Sequence, residues 1–253
     1  MSQTNVVSLN NFPSRCSDCL YTGDCPLISE NGSVSSIANK TRVRVLHAGD
    51  HLYRAGEPME SMYRVRTGTI KTIMTRSDGS EQVTGFYGPG EWLGVDAVEC
   101  ESHPGDALAL DTVSICVIPL QPVIEHSARS THSIRTLMTI LSRRLMINER
   151  LHMSLACDTA NQRLAQFLLN LSANRMAVNL DGDDLTLSMS RLDIASYLAL
   201  AVETVSRLLT RMQKAGVVRV HRTRVEILDR DGLIALAGRE MDPPQKRITC
   251  RTH

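Results

Sequence analysis

Near the N-terminus three cysteines fall within one short loop, Cys16-Ser17-Asp18-Cys19-Leu20-Tyr21-Thr22-Gly23-Asp24-Cys25-Pro26. Three thiolates at C-x2-C-x5-C, on a stretch rich in Gly, Asp and Pro, point to chemistry rather than packing. Structural zinc and iron–sulfur clusters both favour four thiolates, so the loop is one ligand short and must recruit another cysteine. Cys116, in Val113-Ser114-Ile115-Cys116-Val117-Ile118-Pro119, is the candidate. Cys100 is weaker, because Glu99 and Glu101 beside it disfavour a thiolate. The same residues also admit plainer readings: a disulfide-bonded loop, free thiols, or Cys116 as a small hydrophobe in a strand. Seven cysteines form an odd set spread over a long chain, which fits thiols kept reduced in a cytosol better than a disulfide framework. The eight histidines are scattered and give no ligand spacing.

A second stretch has residues suited to reading DNA. Ser190 to Leu198 and Val202 to Met212 read as two short helices around a tight Ala199-Leu200-Ala201 turn, a helix-turn-helix pattern that helix hairpins in cores can also show. In the second helix Glu203, Ser206 and Arg207 stand at i, i+3 and i+4, on one face. Arg207 can donate twice to a guanine, Glu203 can accept from a cytosine amino group, and Ser206 adapts to a neighbouring base. Thr204 and Arg211 complete the predicted contact set. The blander alternative has Glu203 capping the helix and Arg207 touching only a phosphate. From Arg191 to Arg230 eight Lys or Arg stand against four acids, a net +4 in a chain whose total is +1. That concentration is the footprint of a phosphate-binding face. Val217 to Val220 and Arg224 to Leu228, around His221-Arg222-Thr223, predict a β-hairpin wing.

These groups need a scaffold, and the chain changes its periodicity to supply one. From Val45 to about Ile118 short apolar runs alternate with turns such as Ala55-Gly56-Glu57-Pro58, Asp78-Gly79 and Gly88-Pro89-Gly90, which predicts a small barrel or jelly roll. After Pro122 the pattern becomes helical, from about Ser130 to Thr159. Ile134, Met138, Leu141, Leu145, Asn148, His152 and Leu155 recur at spacings of four and three, a coiled-coil seam that predicts a homodimer. Polar Asn148 and His152 read as plain surface residues if the register is shifted by one; in this register they weaken the dimer and fix its alignment. Leu137, Ile140, Ile147 and Leu151 form a second stripe, expected to pack on the barrel. A further helix from Ala160 to about Ala173 leads to a polar break at Asp181-Gly182-Asp183-Asp184, read as the loop opening the helix-turn-helix.

The fold class is therefore α+β. Residues 1–30 form a cysteine-rich segment, 31–128 a β-barrel, 129–159 a dimerisation helix, 160–240 a winged helix-turn-helix and 241–253 a tail expected to be disordered. No apolar run is long enough to cross a bilayer, and Met1 to Arg15 lacks the apolar core of a secretory signal, so a cytoplasmic protein with no membrane partner is expected. No polar constellation fit for catalysis is present, which argues against an enzyme.

Barrel, seam helix and winged helix-turn-helix in that order resemble the CRP/FNR superfamily of bacterial transcription regulators over nearly the whole chain. C-x2-C-x5-C at Cys16, Cys19 and Cys25, a cysteine just before Val117-Ile118-Pro119, and Glu203-Thr204-Val205-Ser206-Arg207 are similar to the oxygen-responsive FNR type. The resemblance implies that Cys16, Cys19, Cys25 and Cys116 hold a [4Fe-4S] cluster which oxygen converts to a [2Fe-2S] form. It also implies a dimer that binds double-stranded DNA at TTGAT-N4-ATCAA and works as an activator with RNA polymerase. One departure is Asn148, where the family archetype has an acid. Cyclic nucleotides, the ligands of a sister branch, are not expected: an Arg-Ser pair binds the cyclic phosphate there, and Gly105-Asp106 stands in its place. A regulator switched by zinc, thiol redox or another small effector is the rival, and a cluster-bearing electron carrier a more distant one.

Overall fold

The computed structural model describes residues 25–28 and 36–238. Cys16, Cys19, Cys250 and the tail from 241 lie outside them. Eight strands come first: β1 (Arg42–Leu46), β2 (His51–Tyr53), β3 (Ser61–Thr67), β4 (Ile70–Thr75), β5 (Glu81–Tyr87), β6 (Trp92–Leu93), β7 (Asp106–Ala109) and β8 (Val113–Pro119). They pair antiparallel into two four-stranded sheets, β1-β8-β3-β6 and β2-β7-β4-β5. One closed core lies between them, built from Leu46, Leu52, Val65, Ile70, Tyr87, Val113, Ile115, Val117 and their neighbours. The predicted hairpin at Asp78-Gly79 joins β4 to β5, and Gly79 takes a φ of 82°, a conformation that suits glycine.

Because side chains alternate across a strand, β8 sends Val113, Ile115 and Val117 into the barrel and leaves Cys116 and Ile118 on its outer surface. A second apolar cluster covers that surface. It joins Met62, Trp92, Val95 and Ile118 to Val123 of α1 (Leu120–Ser127), Ile140 of α2 (Thr131–Cys157), and Cys25, Leu27 and Ile28. Helix α1 was not expected, since Pro122 was read as preceding the helical region. Pro122 sits in the first turn of α1, where its missing N–H would have had no partner inside the helix.

Helix α2 turns Ser133, Thr136 and Ile140 inward and leaves Ile134, Met138, Leu141 and Leu145 exposed, Met138 to 62%. The second apolar stripe divides. Leu137 and Ile140 pack on the barrel's outer cluster as expected, but Ile147 is exposed and Leu151 is half-buried outside any core. Two turns beyond Ile140, the helix has travelled about 10 Å and left that cluster behind.

The remaining elements are α3 (Ala160–Ala177), β9 (Asp184–Thr186), α4 (Arg191–Leu198), α5 (Val202–Lys214), β10 (Val218–His221), β11 (Arg224–Ile227) and α6 (Arg230–Ala237). They share one core, with Leu164, Leu168, Ile194, Val205, Leu209, Val218 and Leu233 at its centre. Helix α3 extends four residues past the expected end. Strand β9 begins at Asp184, the last residue of the polar break, and adds a third strand to the wing, in the order β10-β11-β9. Helix α6 was also not foreseen, although its signals are present: Asp229 accepts from Gly232 N, and Gly238 closes the helix at a φ of 68°.

Between α2 and α3 the chain turns at Asp158-Thr159, where Thr159 and Gln162 form a capping box. Arg163 ties this joint, donating to Leu155 O and Asp158 O at the end of α2 and to Leu198 O at the end of α4. Gln166 adds bonds to Asp158 and to Ala237 O. Among the described residues no helix is long and apolar enough to cross a membrane.

Truncating Leu168, fully buried in the winged core, to alanine should cost about 2–5 kcal/mol of stability. Val45→Ala, on the exposed side of β1, should stay within about 0.5 kcal/mol. Urea unfolding of both variants tests this assignment of inside and outside.

Candidate nucleic-acid interface and cysteine face

Helix α5 presents its polar side outward. Val205, Leu208, Leu209 and Met212 are buried, and between them Glu203, Ser206, Arg207, Thr210 and Arg211 face solvent. Thr204, half-buried, accepts a hydrogen bond from Arg207 Nη2 at 3.3 Å, which steadies the guanidinium along the helix. The Glu203 carboxylate, the Ser206 hydroxyl and the Arg211 guanidinium make no hydrogen bond or ion pair among the described residues. Ala201 supplies no side-chain cap at the start of α5. The positive end of the helix and its uncapped N–H groups therefore open toward the same side as Glu203.

The basic count of the sequence narrows in three dimensions. Arg219 pairs with Glu226 at 2.6 Å, Arg224 with Asp184 through two bonds, and Arg230 with Asp183. Asp183 and Asp184 lie in the polar break, outside the stretch that was counted. Of the eight cations counted, Arg207, Arg211 and Lys214 on α5, with Arg191 and Arg222 beside them, have no carboxylate partner among the described residues. Arg191 donates to Arg222 O across the wing turn, and Arg222 itself holds a φ of 54°. The positive charge of this stretch that no carboxylate offsets is thus concentrated on the outer side of α5 and the tip of the wing.

Helix α4 sets the position of α5. Ser190 and Asp193 form a capping box at its start. Ala199, just past its C-terminal end, is left-handed, with φ 51° and ψ 51°, and this makes the tight turn into α5. The side of α4 facing away from α5 lies on the barrel. Lys71 Nζ of β4 meets Asp193 Oδ1 at 2.6 Å, Val83 N of β5 donates to Ser196 Oγ at 2.9 Å, and Phe86 packs edge-on against Phe167 and Tyr197. Sequence reasoning missed Lys71, Asp193 and Arg163. The capping signal at Ser190 and Asp193 was legible, but the partner in β4 lies 122 residues away.

On the barrel's outer surface Cys25 and Cys116 belong to one apolar cluster. Cys116 is half-buried and stands in a row across four strands, Val43–Cys116–Arg64–Trp92. Arg64 is buried, donates to Gly90 O, and lies over the Trp92 ring at 5.0 Å. Cys25 is buried, and the next residue, Pro26, accepts from Ser133 Oγ of α2 at 2.7 Å. The cysteine segment is thereby fastened to the seam helix next to Ile134. Cys100 and Cys157 are exposed and lie outside this cluster. Among the described residues no three His, Cys, Asp or Glu side chains converge as a metal site. Cys25 and Cys116 are two soft donors in an apolar setting that limits water, which suits a thiolate-bound cluster whose remaining ligands come from elsewhere.

At Gly105-Asp106 the barrel leaves no room for a longer side chain and holds the carboxylate in bonds of its own. A Cβ on Gly105 would sit 2.3 Å from Ile73 O, so no longer side chain fits there. Asp106 accepts from Ala55 N and pairs with His51 at 3.5 Å. Arg144 reaches from α2 over the Tyr87 ring at 4.6 Å. Desolvation pushes the Glu91 carboxyl up to about 7, against the pull of its bond from Gly88 N and of the Arg144 charge.

Residues 162–236 match the Crp-like helix-turn-helix domain, and residues 43–129 the cyclic nucleotide-binding domain. The chain is 39% identical over 233 residues to the transcriptional activator protein FnrA of Stutzerimonas stutzeri, covering 90% of this chain and 95% of that one. It is 34% identical over 225 residues to the fumarate and nitrate reduction regulatory protein of Salmonella typhimurium, covering 88% and 90%. Among solved structures, FixK2 from Bradyrhizobium japonicum superposes with a TM-score of 0.71 at 26% identity, over 78% of this chain and 96% of that one.

Left-handed backbone at a residue with a Cβ is strained, so Ala199→Gly should stabilise the protein by about 0.5–1 kcal/mol without altering the interface. A rise in thermal midpoint with unchanged DNA affinity is the expected result; a fall would mean that the turn is held for another reason.

Proposed function

The chain belongs to the CRP/FNR family of transcription regulators, and on that premise we propose that it is an oxygen-responsive regulator whose DNA binding depends on a [4Fe-4S] cluster. It is a DNA-binding regulator and not an enzyme. Cys16, Cys19, Cys25 and Cys116 are the proposed ligands. The observation that supports this most is the placement of Cys25 and Cys116 in one apolar cluster, with Pro26 bonded to Ser133 of α2. When bound, the cluster supplies an oxygen-labile link between the N-terminal cysteines and the barrel. Everything downstream is the work of the chain. Ser133 faces the cysteine segment and its neighbour Ile134 faces outward, so fastening or releasing that segment moves the seam.

The seam residues Ile134, Met138, Leu141, Leu145, Asn148, His152 and Leu155 would form the interface of a homodimer. The exposed apolar row from Ile134 to Leu145 needs such a cover, while Asn148 and His152 keep the association weak enough to regulate. Each protomer then presents Glu203, Ser206 and Arg207 to one half of a TTGAT-N4-ATCAA palindrome, with Thr204 and Arg211 in support. Cyclic nucleotides are disfavoured by the closed space at Gly105 and by the engaged carboxylate of Asp106. The protein would act in the cytoplasm, with RNA polymerase as a second macromolecular partner.

Anaerobic purification followed by an absorption spectrum and iron and sulfide analysis tests the cofactor. Cys116→Ser should lose the cluster while Cys100→Ser and Cys157→Ser keep it. Zinc without iron in the wild type would overturn the oxygen-sensor reading. For the dimer, Asn148→Leu should give a species that stays dimeric in air, as followed by sedimentation. On DNA, Arg207→Ala should cost about 1–3 kcal/mol on the G-containing half-site and flatten discrimination at that base pair. An equal loss on a G→A operator, with a salt slope lowered by about one, would reduce Arg207 to a phosphate contact.

A further inference from the structure

Two attachments hold the winged helix-turn-helix to the rest of the chain. One is the joint at Asp158-Thr159, tied by Arg163. The other joins α4 and the residues just before it to the barrel, at β4, β5 and the turn between β7 and β8. A single joint leaves a body free to swing, and the second attachment fixes its angle. That second contact is built in detail. Lys71 and Asp193 meet at 2.6 Å with side chains only 19% and 12% exposed. Gln82 Nε2 donates to Ser196 O, Val83 N to Ser196 Oγ, and Ser188 Oγ to Asp111. The aromatic group of Phe86, Phe167 and Tyr197 closes the contact.

The Asp193 carboxylate divides its two oxygens. Oδ2 accepts from Ser190 N and Ser190 Oγ and so caps α4, while Oδ1 accepts from Lys71. Burial alone would push this carboxyl up, but the bonds from Lys71 and Ser190 outweigh it and hold the group below the usual carboxylate range. Removing Lys71 therefore takes away Asp193's link to the barrel and leaves the cap. The contact uses the side of α4 remote from the DNA-facing surface, and Glu203, Ser206, Arg207 and Arg211 remain exposed while it is made. It holds the reading head at a fixed angle and does not mask it.

We propose that Lys71 of the sensor barrel is a positioning residue for operator binding: through Asp193 it fixes the helix-turn-helix against the barrel and so sets the half-site spacing that the dimer accepts. This rests on the dimeric, palindrome-binding reading above. Each barrel is anchored to α2 through Leu137 and Ile140, so its distance from a two-fold axis along α2 is set. The separation of the two α5 helices then follows from the barrel–α4 angle, and a palindrome measures that separation.

The test starts from the tightest operator that the wild type selects from randomised duplexes, with derivatives one base pair shorter and longer between the half-sites. The wild type should reject both derivatives by tenfold or more. Lys71→Met should shrink that rejection at least threefold, and Lys71→Arg should restore it. The salt slope should not change, because Lys71 touches no phosphate. Should Lys71→Met fail to fold, Gln82→Ala loosens the same contact from its other end and should relax spacing in the same way. Spacing ratios equal to wild type in the folded variant, or a salt slope reduced by about one, would overturn the proposal. A wild type that binds all three spacings alike would instead remove the dimer reading, and this inference with it.

Discussion

Strand β8 serves two cores at once, and most of the molecule depends on its period of two. Val113, Ile115 and Val117 complete the inside of the barrel, while Cys116 and Ile118 complete the cluster outside it. A slip of one residue against β1 or β3 would put a thiol inside the barrel and strip the outer cluster of its centre. The register with β3, unbroken from Ser61 opposite Pro119 to Val65 opposite Ile115, opposes that slip. Because β8 runs directly into α1, and α1 into α2, the same register also fixes where the seam helix begins.

From there α2 divides its duties along its length. Its first half packs on the barrel through Leu137 and Ile140 and bonds the cysteine segment through Ser133, and its last turn is tied to α3 through Ser154 and Gln166. The stretch between has few inward contacts, with Arg144 the main one, reaching to Tyr87. On the proposed function, a displacement at the cysteine segment would reach the apolar row facing outward through Ser133 and its neighbour Ile134. Arg163 then joins the ends of α2 and α4 with one guanidinium, so the end of the seam and the first helix of the reading head share a fixed point.

The parts of this architecture that rest on local patterns were legible in the sequence. Period-two runs with Gly turns gave the strands, spacings of three and four gave α2, and the small-residue turn at Ala199-Leu200-Ala201 gave the α4–α5 pair. What escaped was either too short or non-local. Asp184-Leu185-Thr186 is three residues in an acidic loop and becomes a strand only because β11 lies alongside. Pro122 reads as a break until its place in the first turn of α1 is known. Ile147 has the right spacing for the inner stripe, but periodicity does not say where the barrel ends. The charge count missed the acids that neutralise Arg224 and Arg230. Lys71 could not be paired with Asp193 from sequence, since nothing local marks Lys71 and the cap with Ser190 accounts for Asp193 by itself. Two of the four proposed cluster ligands, Cys25 and Cys116, lie together; Cys16 and Cys19 are outside the described residues.

Trp92 is the one tryptophan of the chain, buried under Arg64 in the same cluster as Cys25, and its indole N–H has no partner among the described residues. The whole indole emission of the protein therefore comes from the outer face of the barrel. The winged helix-turn-helix, whose aromatic rings are only Phe167 and Tyr197, is dark at those wavelengths. Melting of the reading head and loosening of the cysteine face are in consequence optically separable in the unlabelled protein. Fluorescence follows the barrel face, circular dichroism follows the helices of both halves, and the gap between the two curves measures how tightly sensor and reader are coupled.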